Sequence, residues 1–287
     1  MWLIQPMALH QVRSQAGTNA GVQLACFNIK LSDDFQLNVG HQIIPQYYYS
    51  RFENVGFTYP WVNVPQELYG GDANNYDGVS LGFSRSINGF NILSSVFDGH
   101  EKLAQLRYYS ASASGDTDVH YTALVGADAE VSKGPLTVRV VYMQANHQVT
   151  NATSPEINQE GPMNSYGLAI NLDFNSWFML SEVGKSKFNV NGNPGFNYGQ
   201  SLATIGAGLR IGQWTPFVNY AMITEHTSTS GLSEEYAPTN DRRASFTLRH
   251  DLDAKSAIKA EIDRVSDTTN NNGGNQNKLR SACFTSH

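Results

Sequence analysis

The residue types that carry out covalent chemistry are present but stand apart from one another. The histidines are dispersed, and no His-Glu-x-x-His, Gly-x-Ser-x-Gly or glycine-rich phosphate-loop pattern occurs. His41, His100 and His120 have no obvious partner in or near the predicted strands. The two cysteines, Cys26 and Cys283, lie near opposite ends of the chain and form no Cys-x-x-Cys spacing. We therefore predict no enzymatic activity and no cofactor.

One short segment has part of the spacing of a calcium loop. Gly71–Gly78 reads Gly-Asp-Ala-Asn-Asn-Tyr-Asp-Gly, with oxygen-bearing side chains at several positions. In a calcium loop such ligands alternate along the chain, and Tyr76 falls where an oxygen ligand should stand. The sequence therefore predicts no metal site.

Charged residues on the polar face of the predicted strands are the main candidates for a functional role. If that face borders water inside a pore, they could act as an electrostatic filter for ions. Alternatively, they could form structural pairs across neighbouring strands, each worth about 0.2–1 kcal/mol. Both signs of charge occur, so no strong ion selectivity is predicted. These residues are Asp128, Glu130, Arg139, Arg210, Arg249, Lys259, Glu261 and Asp263.

The elements that must position these charges are predicted by alternation with a period of two, which is typical of β-strands. In Met163–Phe174, an apolar face from Tyr166 to Phe174 opposes a face of Ser, Gly, Ala, Asn and Asp. Leu202–Ile211 repeats this pattern. The second face mixes Gly, Ser, Thr and Asn with occasional charges, which favours a wet barrel interior over the Lys-rich and Glu-rich surface of a soluble β-sandwich.

Short and long connections alternate along the whole chain. Tight turns such as Asn88-Gly89 and Gly212-Gln213 separate strand-like runs, and longer polar stretches such as 149–162 and 227–240 lie between the hairpins. Short periplasmic turns and long extracellular loops are typical of bacterial outer-membrane β-barrels. We predict one all-β domain over residues 1–287, an antiparallel transmembrane β-barrel of which about twelve strands are present.

Composition is consistent with a wall between lipid and water. Charged residues make up 15% of the chain, aromatic residues 11%, and the mean hydropathy is −0.36. No segment approaches the ~18 consecutive apolar residues of a membrane helix. The formal net charge is −6 with no basic block, so nucleic acid is not a predicted partner, whereas outer-membrane lipid is.

A stretch from Leu31 onward resembles a family of Gram-negative porins. In that family a strand ending in Gly-x-Gln-x-x-Pro leads into an aromatic loop with a Val-Gly-x-x-Tyr-Pro-Trp segment, which ends at a Tyr-Asp-Gly strand start. The matching residues are Gly40, Gln42, Pro45, Val55, Gly56, Tyr59, Pro60, Trp61, Tyr76, Asp77 and Gly78. Phe246–Asp267 resembles the penultimate hairpin of such porins. The resemblance implies an outer-membrane diffusion channel for small hydrophilic solutes or ions, with a homo-oligomer such as a trimer as an option.

The aromatic loop, Gln46 to Gly70, is too long and too apolar for a simple extracellular connection. It could fold into the lumen and narrow it, with Arg51, Glu53 and Glu67 lining the constriction. Alternatively, its tyrosines and tryptophan could form a cap against the barrel rim and leave the charges in solvent. The aromatic residues in question are Tyr47, Tyr48, Tyr49, Tyr59 and Trp61.

Both ends of the chain depart from the porin pattern. The N-terminus lacks the features of a secretory signal, and the last residues lack the alternation and terminal aromatic residue of a closing strand. We expect strands to be missing at both ends and residues 1–18 and 278–287 to be irregular. A barrel that binds a ligand or partner at the surface without conducting is the first alternative function, and a barrel enzyme is a distant third.

Overall fold

A computed structural model describes residues 4–11, 21–53, 55–71, 73–106, 116–153, 155, 158–191, 196–227, 239–269 and 274–285. In these ranges fourteen β-strands form one antiparallel sheet in which each strand pairs with the next along the chain. The strands are β1 Ile4–Gln11, β2 Gly21–Lys30, β3 Phe35–Ile43, β4 Asn75–Ile87, β5 Phe90–Leu106, β6 Thr117–Lys133, β7 Leu136–Asn151, β8 Gln159–Asp173, β9 Trp177–Val190, β10 Phe196–Leu209, β11 Trp214–Thr227, β12 Asn240–Asp251, β13 Ser256–Asp267 and β14 Gln276–Thr285. The all-β antiparallel prediction is confirmed.

The tight turns predicted from the sequence are present in the structure. Asn88 and Gly89 join β4 to β5 with φ of 52° and 77°, as a two-residue hairpin turn with right-handed strand twist requires. About twelve strands were predicted, and β2 to β13 number twelve; β5 extends to Leu106, within the stretch 99–117 that the sequence favours as a long connection but in which 103–110 could itself be strand.

The prediction of irregular chain ends is wrong for the described residues there. Ile4–Gln11 forms β1 and Gln276–Thr285 forms β14. The sequence of β14 has little alternation, yet it pairs with β13 from Val265↔Gln276 to Ser256↔Thr285. Strand formation here follows from the backbone groups that β13 presents along its edge rather than from a local hydrophobic pattern.

The two faces of the sheet differ in the way that the alternation predicts. In β13, Ile258 and Ile262 are 46% and 58% exposed on the outer face, whereas Lys259 and Glu261 between them are buried on the inner face. Tyr166, Leu168 and Ile170 are likewise exposed on the outside of β8. Soluble proteins rarely expose apolar bands of this extent, so the outer surface suits contact with lipid.

The sheet curls around the aromatic loop. Arg51 of that loop contacts β6 at Asp128, and Gly56 contacts β13 at Lys259. In a flat sheet these strands would lie roughly 34 Å apart, whereas five residues of chain span at most about 18 Å. The wall must therefore be strongly curved. No pairing between β1 and β14 is present among the described residues, so the sheet is an unclosed barrel there.

Within the described residues, helical structure occurs only in short turns of the aromatic loop, at Ser50–Phe52, Gly56–Thr58 and α1, Gln66–Tyr69. None of the helices in the described ranges has the length and apolar character needed to cross a membrane.

Candidate pore constriction

The aromatic loop folds inward and lies across the concave face of the sheet. Just before the loop, the carbonyl of Pro45 accepts a 2.6 Å hydrogen bond from Arg139 of β7. Gln46 then donates to Ser165 of β8 at 3.2 Å. Farther along, the backbone N–H of Val62 donates to Glu261 of β13 at 3.1 Å. The loop thus contacts well-separated parts of the wall, which favours the inward course over the alternative of a cap against the rim.

The aromatic side chains of the loop pack against β9 to β11. Trp61 lies edge-on to Phe217 of β11 with ring centroids 5.2 Å apart, and Tyr49 lies edge-on to Trp61 at 5.3 Å. Phe178 of β9 stacks on Phe217 at 5.7 Å and continues the cluster along the wall. Such edge-to-face pairs add about 0.5–1.5 kcal/mol each beyond the burial of their area.

Glycines on the inner face of β10 make room for this cluster. A Cβ atom at Gly206 would lie 2.4 Å from the Phe217 ring, and one at Gly208 would lie 2.3 Å from the Phe178 ring. Both distances are far below van der Waals contact, so a side chain at either position would displace a ring. The two glycines that follow Thr204 on this face therefore shape the wall to accept the aromatic side chains.

Glu182 of β9 holds the two ends of the loop together. Its carboxylate accepts hydrogen bonds of 2.6 Å from the backbone N–H of Tyr48 and of 2.6 Å from the hydroxyl of Tyr69. Burial, together with the negative charge of Glu182, raises the pKa of the Tyr69 phenol well above its ordinary value. The phenol therefore stays protonated and remains a donor to the carboxylate at physiological pH.

Lys259 of β13 anchors the tip of the loop. Its Nζ donates to the carbonyls of Gly56, Tyr59 and Trp61, with distances of 2.5 Å to Tyr59 and 2.8 Å to Trp61. Lys259 is completely buried. An ammonium group has three protons, and three loop carbonyls accept them.

An ion-pair network on β12 to β14 continues this anchor. Glu67 accepts hydrogen bonds of 2.8 and 3.1 Å from Arg243 of β12, which also lies 3.2 Å from Asp263. Arg280 of β14 lies 3.3 Å from Asp263 and 3.8 Å from Glu261. Three acidic and three basic side chains therefore balance one another beneath the loop. We call this set, Glu67, Arg243, Lys259, Glu261, Asp263 and Arg280, the sealed contact.

A second set of charges, on β6 and β7, meets the other side of the loop. Asp128 lies 3.3 Å from Arg139 and 3.4 Å from Arg51, which also donates to Ser95 at 3.2 Å. Glu130 is half-buried and pairs with Arg139 in the β6–β7 register. The Arg51 side chain is 51% exposed. We call Arg51, Asp128, Glu130 and Arg139 the open contact, because the Arg51 side chain in it reaches water, whereas Asp128 and Arg139 are themselves buried.

The predicted constriction residues differ in their exposure to water. Arg51 faces water and Glu53 is half-buried, but Tyr59, Trp61 and Glu67 are buried. The expectation that Glu67 lines an open constriction is wrong, because Arg243 pairs with it against the wall.

The predicted lumen charges also differ in their access to water. Lys259, Glu261 and Asp263 face inward as expected, but the loop and its partners cover them. Arg249 is half-buried and donates to the carbonyl of Phe57 at 2.7 Å. Arg210 is exposed at the short-turn rim, where it binds Asp173 at 2.6 Å.

Two residues that hold the loop, Glu182 and Arg243, were not among the predicted site residues. Arg243 lies two residues before Ser245 and four before Thr247, on the same polar face, so the alternation of this strand is the signal that could have found it. Glu182 lies in a strand whose outer residues Lys185 and Lys187 are charged, so the contrast between its faces is weak.

Solved structures with the same fold are found, although sequence similarity is very low. No family model matches the sequence, and no curated protein matches it either. The outer-membrane channel DcaP of Acinetobacter baumannii superposes with a TM-score of 0.63 and 9% identity, covering 99% of this chain and 79% of that one. OmpT, an outer-membrane protein of Vibrio cholerae, gives 0.62 and 12%, covering 97% and 80%. The anion-selective porin from Comamonas acidovorans gives 0.58 and 10%, covering 93% and 75%.

The fold is that of a porin-like outer-membrane β-barrel. At this identity the similarity concerns the course of the chain and not the pore residues, so the sealed and open contacts are features of this sequence in its own right.

Proposed function

We propose that this protein resides in a bacterial outer membrane and is a passive diffusion channel for small hydrophilic solutes. The observation that supports this proposal best is the course of the aromatic loop, which lies inside the curved sheet and leaves the Arg51 side chain 51% exposed beside Asp128. A loop inside a barrel narrows the passage, and charged groups at the narrowest point act on ions that pass. No catalytic step forms part of the proposal.

The outer face supports the membrane location. Val96, Val183, Ile205 and Val218, from four different strands, are all about half exposed, between 49% and 55%. In water such a band would favour aggregation, whereas in lipid it removes apolar surface from water at about 25 cal/mol per Å².

Liposome swelling with uncharged sugars of increasing size tests the proposal. Liposomes that contain the protein should swell quickly in small sugars and slowly in larger ones. Arg51→Ala should increase the swelling rate in the larger sugars, because it removes a long side chain from the passage. Lys187→Ala, which alters an exposed lysine of β9, is the control and should leave all rates unchanged. Absence of swelling in every sugar would refute conduction and favour a non-conducting surface-binding barrel.

We further propose that the protein forms homo-oligomers in the membrane. OmpT from Vibrio cholerae has been solved in a trimer form, and that structure superposes on this chain with a TM-score of 0.59. Cross-linking in native membranes should then give a discrete band at three times the monomer mass. A purely monomeric pattern at saturating cross-linker would argue against assembly.

A further inference from the structure

Three metal-binding side chains from neighbouring strands meet at the base of the aromatic loop. They are His41 of β3, Asp77 of β4 and Glu101 of β5, and one ligand atom from each lies within 4.8 Å of the others. His41 Nδ1 is 2.8 Å from Asp77 Oδ1, so the partner that the sequence did not indicate for His41 lies across the β3–β4 pair. Imidazole and carboxylate groups in this number are a ligand set for a divalent metal ion.

The surroundings of Glu101 are the main evidence for a bound ligand. It is only 8% exposed, and no hydrogen bond or ion pair reaches its carboxylate from the described residues. The carboxylate of Asp77 is the other acidic group of the cluster and lies within 4.8 Å of it. A buried carboxylate beside another carboxylate is unfavourable without a cation, because burial removes the water that would otherwise solvate the charge.

The backbone around the cluster has close contacts that hold the three strands together. Gly40, Gly78 and Gly99 lie next to one another across β3, β4 and β5, one residue away from the His41–Asp77 pair. A Cβ at Gly78 would lie 2.1 Å from the carbonyl oxygen of Asp98. Side chains are therefore excluded from this row, which fixes the spacing of the strands that carry the ligands.

An irregularity of the β5–β6 pair lies directly beside Glu101. The register shifts between Gly99 and Glu101, and on the opposite strand Ala123 has a φ of 49°, which is unfavourable for a residue with a side chain. Bulges of this kind re-aim a side chain relative to a regular strand. The extra residue is on β6, so the irregularity lies beside the strand position of the buried carboxylate.

We propose that His41, Asp77 and Glu101 bind a single divalent transition-metal ion, for which Zn²⁺ is the probe. Zinc binds imidazole nitrogen and carboxylate oxygen at about 2.0–2.2 Å, which places ligand atoms roughly 3.3 Å apart in a tetrahedral site. The His41 and Asp77 ligand atoms, now 2.8 Å apart, would move slightly apart, the Glu101 atom, within 4.8 Å of them, would move closer, and water would take the fourth position. The side chains of His41 and Asp77 are 26% and 56% exposed near the long-loop ends of β3 and β4, so the protein does not enclose them. This departs from the sequence-based prediction of no metal.

The ion would connect the two ends of the aromatic loop to a third strand. His41 lies two residues before β3 ends at Ile43, and Asp77 lies two residues after β4 begins at Asn75. Metal bound there ties both strands to β5. The site does not depend on conduction, so it can be tested whether or not the channel proposal holds.

Isothermal titration with ZnCl₂ tests the site on the detergent-folded protein carrying Cys26→Ser and Cys283→Ser, since both cysteines are free thiols that could bind zinc elsewhere. We expect one ion per chain. Glu101→Gln and His41→Gln should each weaken binding at least tenfold. His226→Gln, at an exposed histidine of β11, is the matched control and should leave the affinity unchanged. Equal affinity in all three variants, or absence of binding to the parent protein, overturns the proposal.

A second measurement needs no variant, so it is unaffected by variants that fold poorly. X-ray absorption at the zinc edge of the loaded parent protein should show one imidazole and otherwise oxygen ligands. A spectrum with two or more imidazoles, or with oxygen ligands alone, would overturn the assignment of these three residues.

Discussion

The sealed contact and the open contact are made from the same residue types but differ in their access to water. Lys259 and Asp263 in the sealed contact are completely buried, whereas Arg51 in the open contact has half of its side chain in solvent. Buried charges depend on every partner, because loss of one leaves another without solvation. Exposed pairs contribute only about 0–1 kcal/mol, since water screens them.

This difference separates two roles within one lumen. The sealed contact fixes the loop to β12–β14 and should govern stability, because the loop and its partners cover most of its charges. The open contact lies where water reaches the loop and should govern ion traffic. A lumen charge can thus be structural or functional according to whether another segment covers it, which its position in a strand does not reveal.

The largest effect on stability is expected for Lys259→Ala. The substitution removes three hydrogen bonds to the loop carbonyls and leaves those buried acceptors unsatisfied. We expect the free energy of unfolding to fall by about 3 kcal/mol or more. Urea unfolding in detergent, followed by tryptophan fluorescence, measures this. Lys187→Ala at the exposed position should change it by less than about 0.5 kcal/mol, and similar values for the two variants would show that the anchor is dispensable.

A smaller loss is expected for Glu67→Gln, about 2 kcal/mol, because Arg243 keeps Asp263 as a partner. The double variant Glu67→Gln/Arg243→Met also removes the buried positive charge of Arg243. The loss should then be smaller than the sum of the two single losses by at least about 1 kcal/mol, as measured in a double-mutant cycle. Strict additivity would mean that the two side chains do not act as a pair.

Gly206→Ala tests the fit between the aromatic cluster and the wall. The new Cβ would lie 2.4 Å from the Phe217 ring, and we expect a destabilisation of about 1–3 kcal/mol. Gly82→Ala is the matched control on β4, where the nearest atom would be the Gln36 carbonyl oxygen at 3.7 Å. That variant should be neutral or stabilised by up to about 1 kcal/mol. Thermal unfolding of both variants decides whether the ring lies where the structure has it.

The fold could be predicted because its signals are local. Alternation with a period of two identifies the faces of β8 and β10, and the Asn88-Gly89 turn identifies a hairpin without knowledge of distant residues. Residues 278–285 show the limit of this approach, because their strand depends on pairing with β13 and not on their own pattern.

The site could be predicted only in part, because burial inside the lumen depends on contacts between distant segments. Lys259 and Gly56 are 203 residues apart in the chain, and nothing near Lys259 in sequence indicates that a loop covers it. The same holds for Glu67 and Arg243, separated by 176 residues. The inward course of the aromatic loop was among the alternatives, but the division of its charges into covered and open ones follows only from the three-dimensional contacts.

Arg51→Gln combines the smallest expected change in stability with a measurable change in conduction, and its reversal potential is the most direct test of the two roles. The variant loses a half-exposed positive charge, so unfolding should change by less than about 1 kcal/mol. In water, a unit charge 4 Å from a permeating ion interacts with it by about 1 kcal/mol before screening. Because the variant removes a positive charge, the cation-to-anion permeability ratio should rise roughly two- to fivefold. Planar bilayers under a KCl gradient should therefore show a reversal potential shifted toward the value for potassium. An unchanged potential in Arg51→Gln, together with a clear loss of stability, would contradict the division into sealed and open contacts.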